Sequence, residues 1–300
     1  MLYGFENDKF YIEYHSCKRQ VRSLREECDL RARNLYDEND KIILCLSSGL
    51  DSQVALVSFL KQGIPITCAF MHMPGYNDVE FHNLKILEKK HDFKAIVIEI
   101  DPIKIGDDCI RLATEFDANP HHLLHYFFLK QLPDDHNIIQ VAHDPWIMTT
   151  KTNEHYLVNS FYDPEISRQH VLSSMGRRGE FKLFGDSSEL FLSCIQDEIF
   201  TYFLNCSNYF NNNKVRQVHR YDHYIKPLLY SKHWGNELIY FPKFSGWENI
   251  PWMQKFNKYD YKKICFVRWA EVISILTSST DISKKFYENS FEEFNLTFHT

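Results

Sequence analysis

Four short apolar runs alternate with segments of helical periodicity, and this alternation constrains the fold more than any other feature of the sequence. The runs, each bounded by polar residues, are Lys41–Leu46, Ile64–Met71, Ala95–Ile100 and Ile138–Ala142. A continuous apolar run of this length is typical of a strand buried on both faces of a parallel sheet. Strands that alternate with helices form βαβ units. The sequence therefore predicts an α/β fold with a doubly wound parallel sheet.

The segments around these runs carry apolar residues at helical spacing. The predicted helices are a lead-in helix up to about Tyr36, one from the first run to Gly63, one after Asn77, one near 107–116 and one from His121 to Leu132. Ser16 is a candidate cap for the lead-in helix, and Asn77 with Glu80 has the spacing of a capping box. Residues 10–14 predict a strand or hairpin before the lead-in helix.

Beyond about residue 150 the alternation ends. Apolar spacing predicts one long helix over 190–203, capped by Asp186 and Glu189, and further helices at 261–275 and 281–294. We therefore expect three parts: an N-terminal strand and lead-in helix at 1–37, an α/β domain at 38–150, and a helical, aromatic-rich C-terminal elaboration at 151–300.

Composition excludes several classes of protein. Lys and Arg total 34 against 40 Asp and Glu, a formal net charge of −6, so no chain-wide basic field attracts a nucleic acid. No apolar run approaches the roughly 20 residues that span a bilayer, and the N-terminus has no pattern of a secretion signal. The 8 cysteines include no CxxC pair and are typical of reduced core thiols. We expect a cytoplasmic protein with neither a membrane nor a nucleic acid as partner.

The segment Ser47–Ser52 (Ser-Ser-Gly-Leu-Asp-Ser) lies between the first buried strand and the helix that follows it. Such a turn points backbone N–H groups and the positive end of the helix dipole at one spot, which suits a pyrophosphate. A carboxylate beside phosphates needs a divalent cation between them, so we assign Asp51 as a Mg²⁺ ligand. The alternative is an ordinary turn in which Asp51 caps the helix. The loop is not a Walker-A motif, since no Gly-Lys-Ser/Thr is present.

A strand followed by Ser-Gly-Gly-x-Asp-Ser is the PP-loop of the N-type ATP pyrophosphatases, and this chain resembles it with Ser48 in place of the first glycine. Within that superfamily, residues 20–150 are most similar to the synthetase domain of asparagine synthetase and its β-lactam synthetase relatives. Phe70–Gly75, followed by Asp78, looks like the family's second-strand segment, and Asp117–Pro120 matches the order of its middle section. The resemblance implies the adenine nucleotide α-hydrolase-like fold, with 38–150 as the ATP-binding domain.

The resemblance also implies AMP-forming chemistry with ATP and Mg²⁺. A carboxylate or carbonyl oxygen of a small-molecule acceptor attacks the α-phosphorus, pyrophosphate leaves, and ammonia or an amine displaces AMP. The residues that the resemblance assigns to pyrophosphate and Mg²⁺ are Ser47, Ser48, Gly49, Leu50, Asp51 and Ser52, with Asp51 and Ser52 catalytic. Those that it assigns to the adenosine, mostly through the main chain, are Cys45, Met71, Val141 and Ala142.

The sequence departs from the family in two places. The family's acidic segment Gly-Glu-Gly-x-Asp-Glu after the fourth strand reads His143-Asp144-Pro145-Trp146 here. Asp144 takes over a catalytic Mg²⁺ or substrate role, or the segment is a plain turn. The glutaminase half of asparagine synthetase is also absent, and Leu2 stands where its nucleophilic cysteine would be. The nucleophile is then free ammonia, another amine, or a group that a partner delivers.

Four further features have both a functional and a structural interpretation. His121 and His125 have the spacing of zinc ligands or are surface and capping groups. The segment 176–179 is a lid over phosphates or a solvated loop. The aromatic stretch 240–261 stacks a base or packs in the core. The family's phosphate-neutralising lysine has four candidates, which are Lys182, Lys226, Lys232 and Lys243.

Two other functions remain open at the level of sequence. One is a PP-loop enzyme that modifies a nucleobase or a tRNA, against which the negative net charge and the lack of paired cysteines stand. The other is a non-catalytic nucleotide-binding module, which the altered segment at 143–146 favours and the intact Asp51 and Ser52 disfavour.

Overall fold

The computed structural model describes residues 2–7, 9–39, 41–116, 122–141, 146–149, 154–160, 171–177, 179–180, 187–205, 225–242, 246–253 and 264–288. The strands are β1 (Leu2–Glu6), β2 (Lys9–His15), β3 (Ile42–Leu46), β4 (Thr67–His72), β5 (Ala95–Glu99), β6 (Asn137–Gln140), β7 (Trp146–Thr149), β8 (His155–Ser160), β9 (Gly179–Glu180), β10 (Ile264–Arg268) and β11 (Ser283–Tyr287). The helices are α1 (Leu24–Glu38), α2 (Leu50–Lys61), α3 (Asp78–His91), α4 (Gly106–Glu115), α5 (Leu123–Leu129), α6 (Ser188–Ile195), α7 (Glu198–Asn205), α8 (Lys226–Trp234) and α9 (Trp269–Leu276).

A parallel sheet of five strands in the order β5-β4-β3-β6-β9 forms the centre of the fold. The chain runs outward from β3 through β4 to β5 and then returns to pair β6 with the other edge of β3. The order of strands therefore reverses between β3 and β6. In open α/β sheets, ligands bind beyond the carboxyl ends of the strands at such a reversal.

Helices cover both faces of this sheet. Ile42 and Leu44 of β3 pack into one apolar cluster with α1, α2 and part of α8, whereas Ile43 of β3 packs into a second cluster with α4 and α5. Alternate residues of one strand thus serve opposite faces, as the pleat of a strand requires. This confirms the predicted doubly wound parallel sheet and explains why its strands are continuous apolar runs.

Two antiparallel sheets of three strands, β1-β2-β11 and β10-β8-β7, complete the described fold. They share a third apolar cluster, which includes Phe10 and Ile12 of β2, Phe191 of α6, Val267 of β10 and Val272 of α9. The described part of the region beyond residue 150 therefore holds helices and also strands that the sequence did not predict. Since β2 pairs with β11, the N-terminal hairpin and the C-terminal region form one sheet. The expected domain boundaries stay predictions.

Several local predictions need correction. The lead-in helix begins after Ser23, not Ser16, because Ser23 and Glu26 form a reciprocal capping box. The long helix at 190–203 is two helices, α6 and α7, and Ser187 rather than Glu189 provides the cap of α6; Asp186 lies outside the described residues. The segments predicted as helices at 261–275 and 281–294 contain strands β10 and β11, and in the first of them the helix, α9, begins only at Trp269. At α3, the Asn77 side chain accepts a hydrogen bond from the Met73 N–H and makes no capping bond.

The C-terminal region is fastened to the parallel sheet through the buried Arg25 of α1. Its guanidinium donates to Asp29 at 3.2 Å and to Glu237 at 2.7 and 3.0 Å, and it lies 5.4 Å from the centre of the Trp234 ring. The seven cysteines at described positions form no disulfide with one another. None of the helices in the described part of the chain is long and apolar enough to cross a membrane.

Candidate functional site

The loop Ser47–Ser52, called the β3–α2 loop below, has a backbone that only certain residues adopt easily. Ser48 has a φ of 55°, in the left-handed region that favours glycine. Gly49 is the N-cap of α2, and a Cβ on it would lie 3.3 Å from the Ser47 hydroxyl. The first backbone bond of α2 runs from the Gln53 N–H to the Gly49 carbonyl at 3.1 Å, so the N–H groups of residues 50–52 precede the helical ladder. The loop has the backbone shape of an anion-binding turn.

Ser52 and Gln53 hold this loop in place from inside. The Ser52 hydroxyl donates to the Gly49 carbonyl at 2.9 Å. The buried Gln53 amide donates to the Ser48 carbonyl at 2.9 Å and exchanges two bonds of 2.8 Å with the backbone of Ile239. The β3–α2 loop is therefore fixed to the chain beyond α8 before any ligand binds.

The Asp51 carboxylate faces α8, and each of its oxygens has a different partner. Lys226 Nζ donates to Oδ2 at 2.6 Å, and the Tyr230 hydroxyl donates to Oδ1 at 2.5 Å. The Lys226 side chain is 8% exposed and that of Asp51 is 21% exposed, so this ion pair is largely shielded from water. The N-cap of α2 is Gly49, and therefore the alternative of Asp51 as a capping residue is wrong.

Of the two candidate lysines at described positions, Lys226 is the one that lies at the loop. Lys232 instead pairs with Asp197 at 2.8 Å, a bond that raises the pKa of Lys232. Lys182 and Lys243 lie outside the described residues. Lys226 and Tyr230 are four residues apart on α8, which places both on one face of that helix. We did not predict Tyr230 from the sequence, and this spacing opposite an acidic loop is the signal that points to it.

The site lies at the reversal of strand order. The β3–α2 loop follows β3 directly, and Val141 follows β6, which is the strand paired with β3 on the other side. Cys45 and Met71 pack in the cluster of one sheet face, while Val141 packs against the cluster of the other. The described residues assigned to phosphates and adenosine therefore lie on or directly after the neighbouring strands β3, β4 and β6, and their contacts with ATP stay predictions. Ala142 and Asp144 lie outside the described residues.

Mg²⁺ fits the site as an ion held mainly by phosphates. No group of three or more His, Cys, Asp or Glu that could hold a metal occurs among the residues with described positions. Mg²⁺ commonly uses one or two carboxylates together with phosphate oxygens and water. Asp51 would supply one such carboxylate, and its Oδ2 is paired with Lys226.

The structure bears on two features that had both a functional and a structural interpretation, Arg177 and the aromatic stretch. Arg177 does not act as a lid residue, because its guanidinium donates to the carbonyls of Leu129 and Leu132 and so caps the end of α5. In the aromatic stretch, the Trp252 Nε1 donates to the Pro102 carbonyl at 2.8 Å. A Cβ on Gly106 would lie 2.7 Å from the Trp252 ring, so Trp252 packs against α4 as a core residue. His121 lies outside the described residues.

No protein-family model matches the sequence, and no curated protein matches it significantly. Solved structures similar to this chain include an NMN synthetase from Francisella tularensis, with 14% identity and a TM-score of 0.36 over 79% of this chain and 95% of that one. An NH3-dependent NAD synthetase from Campylobacter jejuni has 10% identity and a TM-score of 0.34 over 73% and 97% of the two chains. A glutamine-dependent NAD+ synthetase from Acinetobacter baumannii has 10% identity and a TM-score of 0.35 over 74% and 47%. Likenesses this weak assign no function to the chain, and the similarity to asparagine synthetase stays a prediction.

Proposed function

We propose that this protein is an ATP-dependent ligase that cleaves ATP to AMP and pyrophosphate. The observation that carries the proposal is the site at the β3–α2 loop. This loop has the sequence and backbone of an anion-binding turn, and α8 adds an ammonium group from a position 175 residues further along the chain. A loop that combines N–H groups, hydroxyls and a lysine suits the phosphates of a nucleotide.

In this proposal, different residues of the site bind the phosphates, the metal and the adenosine. The N–H groups of the β3–α2 loop and the Lys226 ammonium bind the β- and γ-phosphates, and Gly49 lets the backbone approach them. Asp51 would hold Mg²⁺ together with the phosphates, and the ion would supply positive charge that stabilises the leaving pyrophosphate. Cys45, Met71 and Val141 border the adenosine. With the outer phosphates held by the loop, the α-phosphorus faces the open crevice.

The acceptor is a small molecule with a carboxylate or carbonyl oxygen, which forms an adenylate at that phosphorus. Ammonia, or an amine that a partner delivers, then displaces AMP. Asp144 follows β6 in the sequence, and we keep it as a candidate for a second Mg²⁺ or substrate contact.

The products of ATP cleavage test this proposal. Phosphorus NMR of the protein with ATP, Mg²⁺ and a panel of carboxylates, amino acids and RNA should show AMP and pyrophosphate, and a single acceptor class should stimulate ATP–pyrophosphate exchange. Lys226→Met should lower turnover about 10²–10³-fold, as expected when one charge-stabilising contact is lost. Lys284→Met, which changes an exposed lysine on β11, is the matched control and should match the wild type.

Three outcomes would contradict the proposal in different ways. ADP and phosphate as main products would exclude the AMP-forming mechanism. Exchange that requires RNA would favour the nucleobase- or tRNA-modifying alternative. Nucleotide binding without cleavage under any condition of the panel would favour the non-catalytic module.

A further inference from the structure

The two hydrogen bonds on Asp51 come from side chains of very different mobility. Lys226 reaches Oδ2 through a flexible four-carbon stem that ends in a point charge. Tyr230 has two side-chain torsions, is 5% exposed, and its ring packs edge-on against Trp234 at 5.5 Å and 81°. Trp234 is in turn held beneath Arg25. The Tyr230 ring is therefore held by its packing, whereas the Lys226 ammonium lies at the end of a chain of rotatable bonds, in a side chain that is 8% exposed.

In the ligand-free site, the Lys226 ammonium already interacts with the carboxylate that we assign to Mg²⁺. An ammonium 2.6 Å from Oδ2 neutralises Asp51, so a divalent cation at the same carboxylate would meet the repulsion of the Lys226 charge while Lys226 stays there. A bound triphosphate carries several negative charges and attracts both Lys226 and a divalent cation. Lys226 cannot remain on Asp51 and also move fully onto the phosphates.

We propose, on the basis of the function proposed above, that nucleotide binding transfers Lys226 from Asp51 to the phosphates, while Tyr230 keeps the Asp51 carboxylate in position to accept Mg²⁺. Tyr230 is then a positioning residue for the metal ligand. Lys226 and Mg²⁺ occupy the same oxygen of Asp51 in succession, before and after the nucleotide binds.

This exchange predicts that Asp51→Asn raises the affinity for ATP when no metal is present and lowers it when Mg²⁺ is present. In Asp51→Asn, metal-free ATP no longer has to break an ion pair and meets one negative charge less. Its affinity, measured by calorimetry in EDTA, should rise about fivefold. With Mg²⁺ present, the same variant lacks the metal ligand, and the affinity for ATP should fall about tenfold or more.

Tyr230→Phe separates positioning from packing, because it removes only the hydroxyl and keeps the ring against Trp234. Affinity for metal-free ATP should stay within about twofold of the wild type, whereas affinity for Mg²⁺–ATP should fall about three- to tenfold, the range of one lost hydrogen bond. Tyr156→Phe is the matched control, since Tyr156 of β8 is also buried at 4% exposure and lies outside the site. It should change neither affinity.

The outcomes distinguish this inference from the proposed function. If the wild type binds ATP but Asp51→Asn weakens binding equally with and without Mg²⁺, or Tyr230→Phe matches Tyr156→Phe, the exchange is wrong and the proposed function stands. If the wild type binds no ATP under either condition, the proposed function itself fails. Circular dichroism of each variant checks that the fold is retained.

Discussion

The parallel sheet and the C-terminal region of this protein differ in how far apart along the chain their contacting residues lie. In the parallel sheet, β3 pairs with β4 across a single helix, and β4 pairs with β5 in the same way. In the antiparallel sheets, β2 pairs with β11, and Phe286 lies opposite Ile12. The first kind of contact leaves a local pattern in the sequence, whereas the second leaves none.

The candidate site joins these two regions. The parallel sheet provides the β3–α2 loop, and the C-terminal region provides Lys226 and Tyr230 on α8. Two further connections fasten the regions near the site: Gln53 binds the backbone of Ile239, and Arg25 binds Glu237. The geometry of the site therefore depends on how firmly the two regions are held together.

Arg25→Met should have a large effect on stability, because it removes the contacts of α1 with Trp234 of α8 and with Glu237 beyond it. Arg25 is buried between Asp29 and Glu237, and removing it leaves the Asp29 carboxylate without its closest cation. We expect a loss of about 2–3 kcal/mol in the free energy of unfolding, below the usual range for a fully buried pair because Glu237 is half exposed. Urea denaturation measures this loss.

Arg111→Met is the matched control for that change. Arg111 also bonds to two carboxylates, Asp108 and Glu115, but all three groups are exposed. Ion pairs at exposed positions contribute little, so we expect a change within about 0.5 kcal/mol. Equal losses for the two arginine variants would show that Arg25 does not join the regions.

The two regions also differ in how much of their structure could be predicted from the sequence. The order of βα units, the β3–α2 loop and the identity of Asp51 could be predicted, because each depends on residues within one or two elements. The capping box of Ser23 and Glu26 was also visible as Ser-x-x-Glu, although we had expected the cap at Ser16. Local patterns thus account for the parallel sheet and for half of the site.

The remaining features depend on contacts that no local pattern reveals. The apolar residues of β10 form a run too short to distinguish a strand from a buried helical turn. β11 is mostly exposed, and its sequence shows no alternation of apolar and polar residues, so nothing local distinguishes Phe286 from a residue of the predicted helix. Tyr230 joins the site only because α8 packs against α2, a contact between segments far apart in the chain.

Two buried glutamines in the parallel-sheet region should respond in opposite ways when each is replaced by leucine: one change should raise the free energy of unfolding and the other should lower it. Gln140, at the end of β6, is 2% exposed, and neither of its amide atoms has a hydrogen-bond partner among the described residues. An unpaired buried polar group costs about 1–3 kcal/mol. Gln140→Leu should therefore raise the free energy of unfolding by about 1–2 kcal/mol.

Gln53→Leu is the comparison for that change, since Gln53 is 1% exposed but makes bonds with Ser48 and Ile239. This substitution should lower stability by about 1–3 kcal/mol, because it leaves buried backbone groups unpaired. Urea denaturation of both variants measures the two changes in the free energy of unfolding. If Gln140→Leu destabilised the protein as much as Gln53→Leu, Gln140 would have a structural partner.

Ser48→Gly should have the smallest effect, and it tests the one position where the β3–α2 loop departs from the Ser-Gly-Gly pattern. A non-glycine residue at φ of 55° costs about 1–2 kcal/mol relative to the right-handed region. Glycine removes this cost, but it also gives the unfolded chain more freedom, worth about 0.5–1 kcal/mol. The net gain in the free energy of unfolding should be about 0.5 kcal/mol, with affinity for ATP unchanged because the backbone N–H groups remain. Ser58→Gly in the interior of α2 changes the same residue type at a helical φ and should lose about 0.5 kcal/mol. A loss of similar size in both variants would mean that strain at Ser48 is compensated within the loop, and that the loop tolerates serine there without cost.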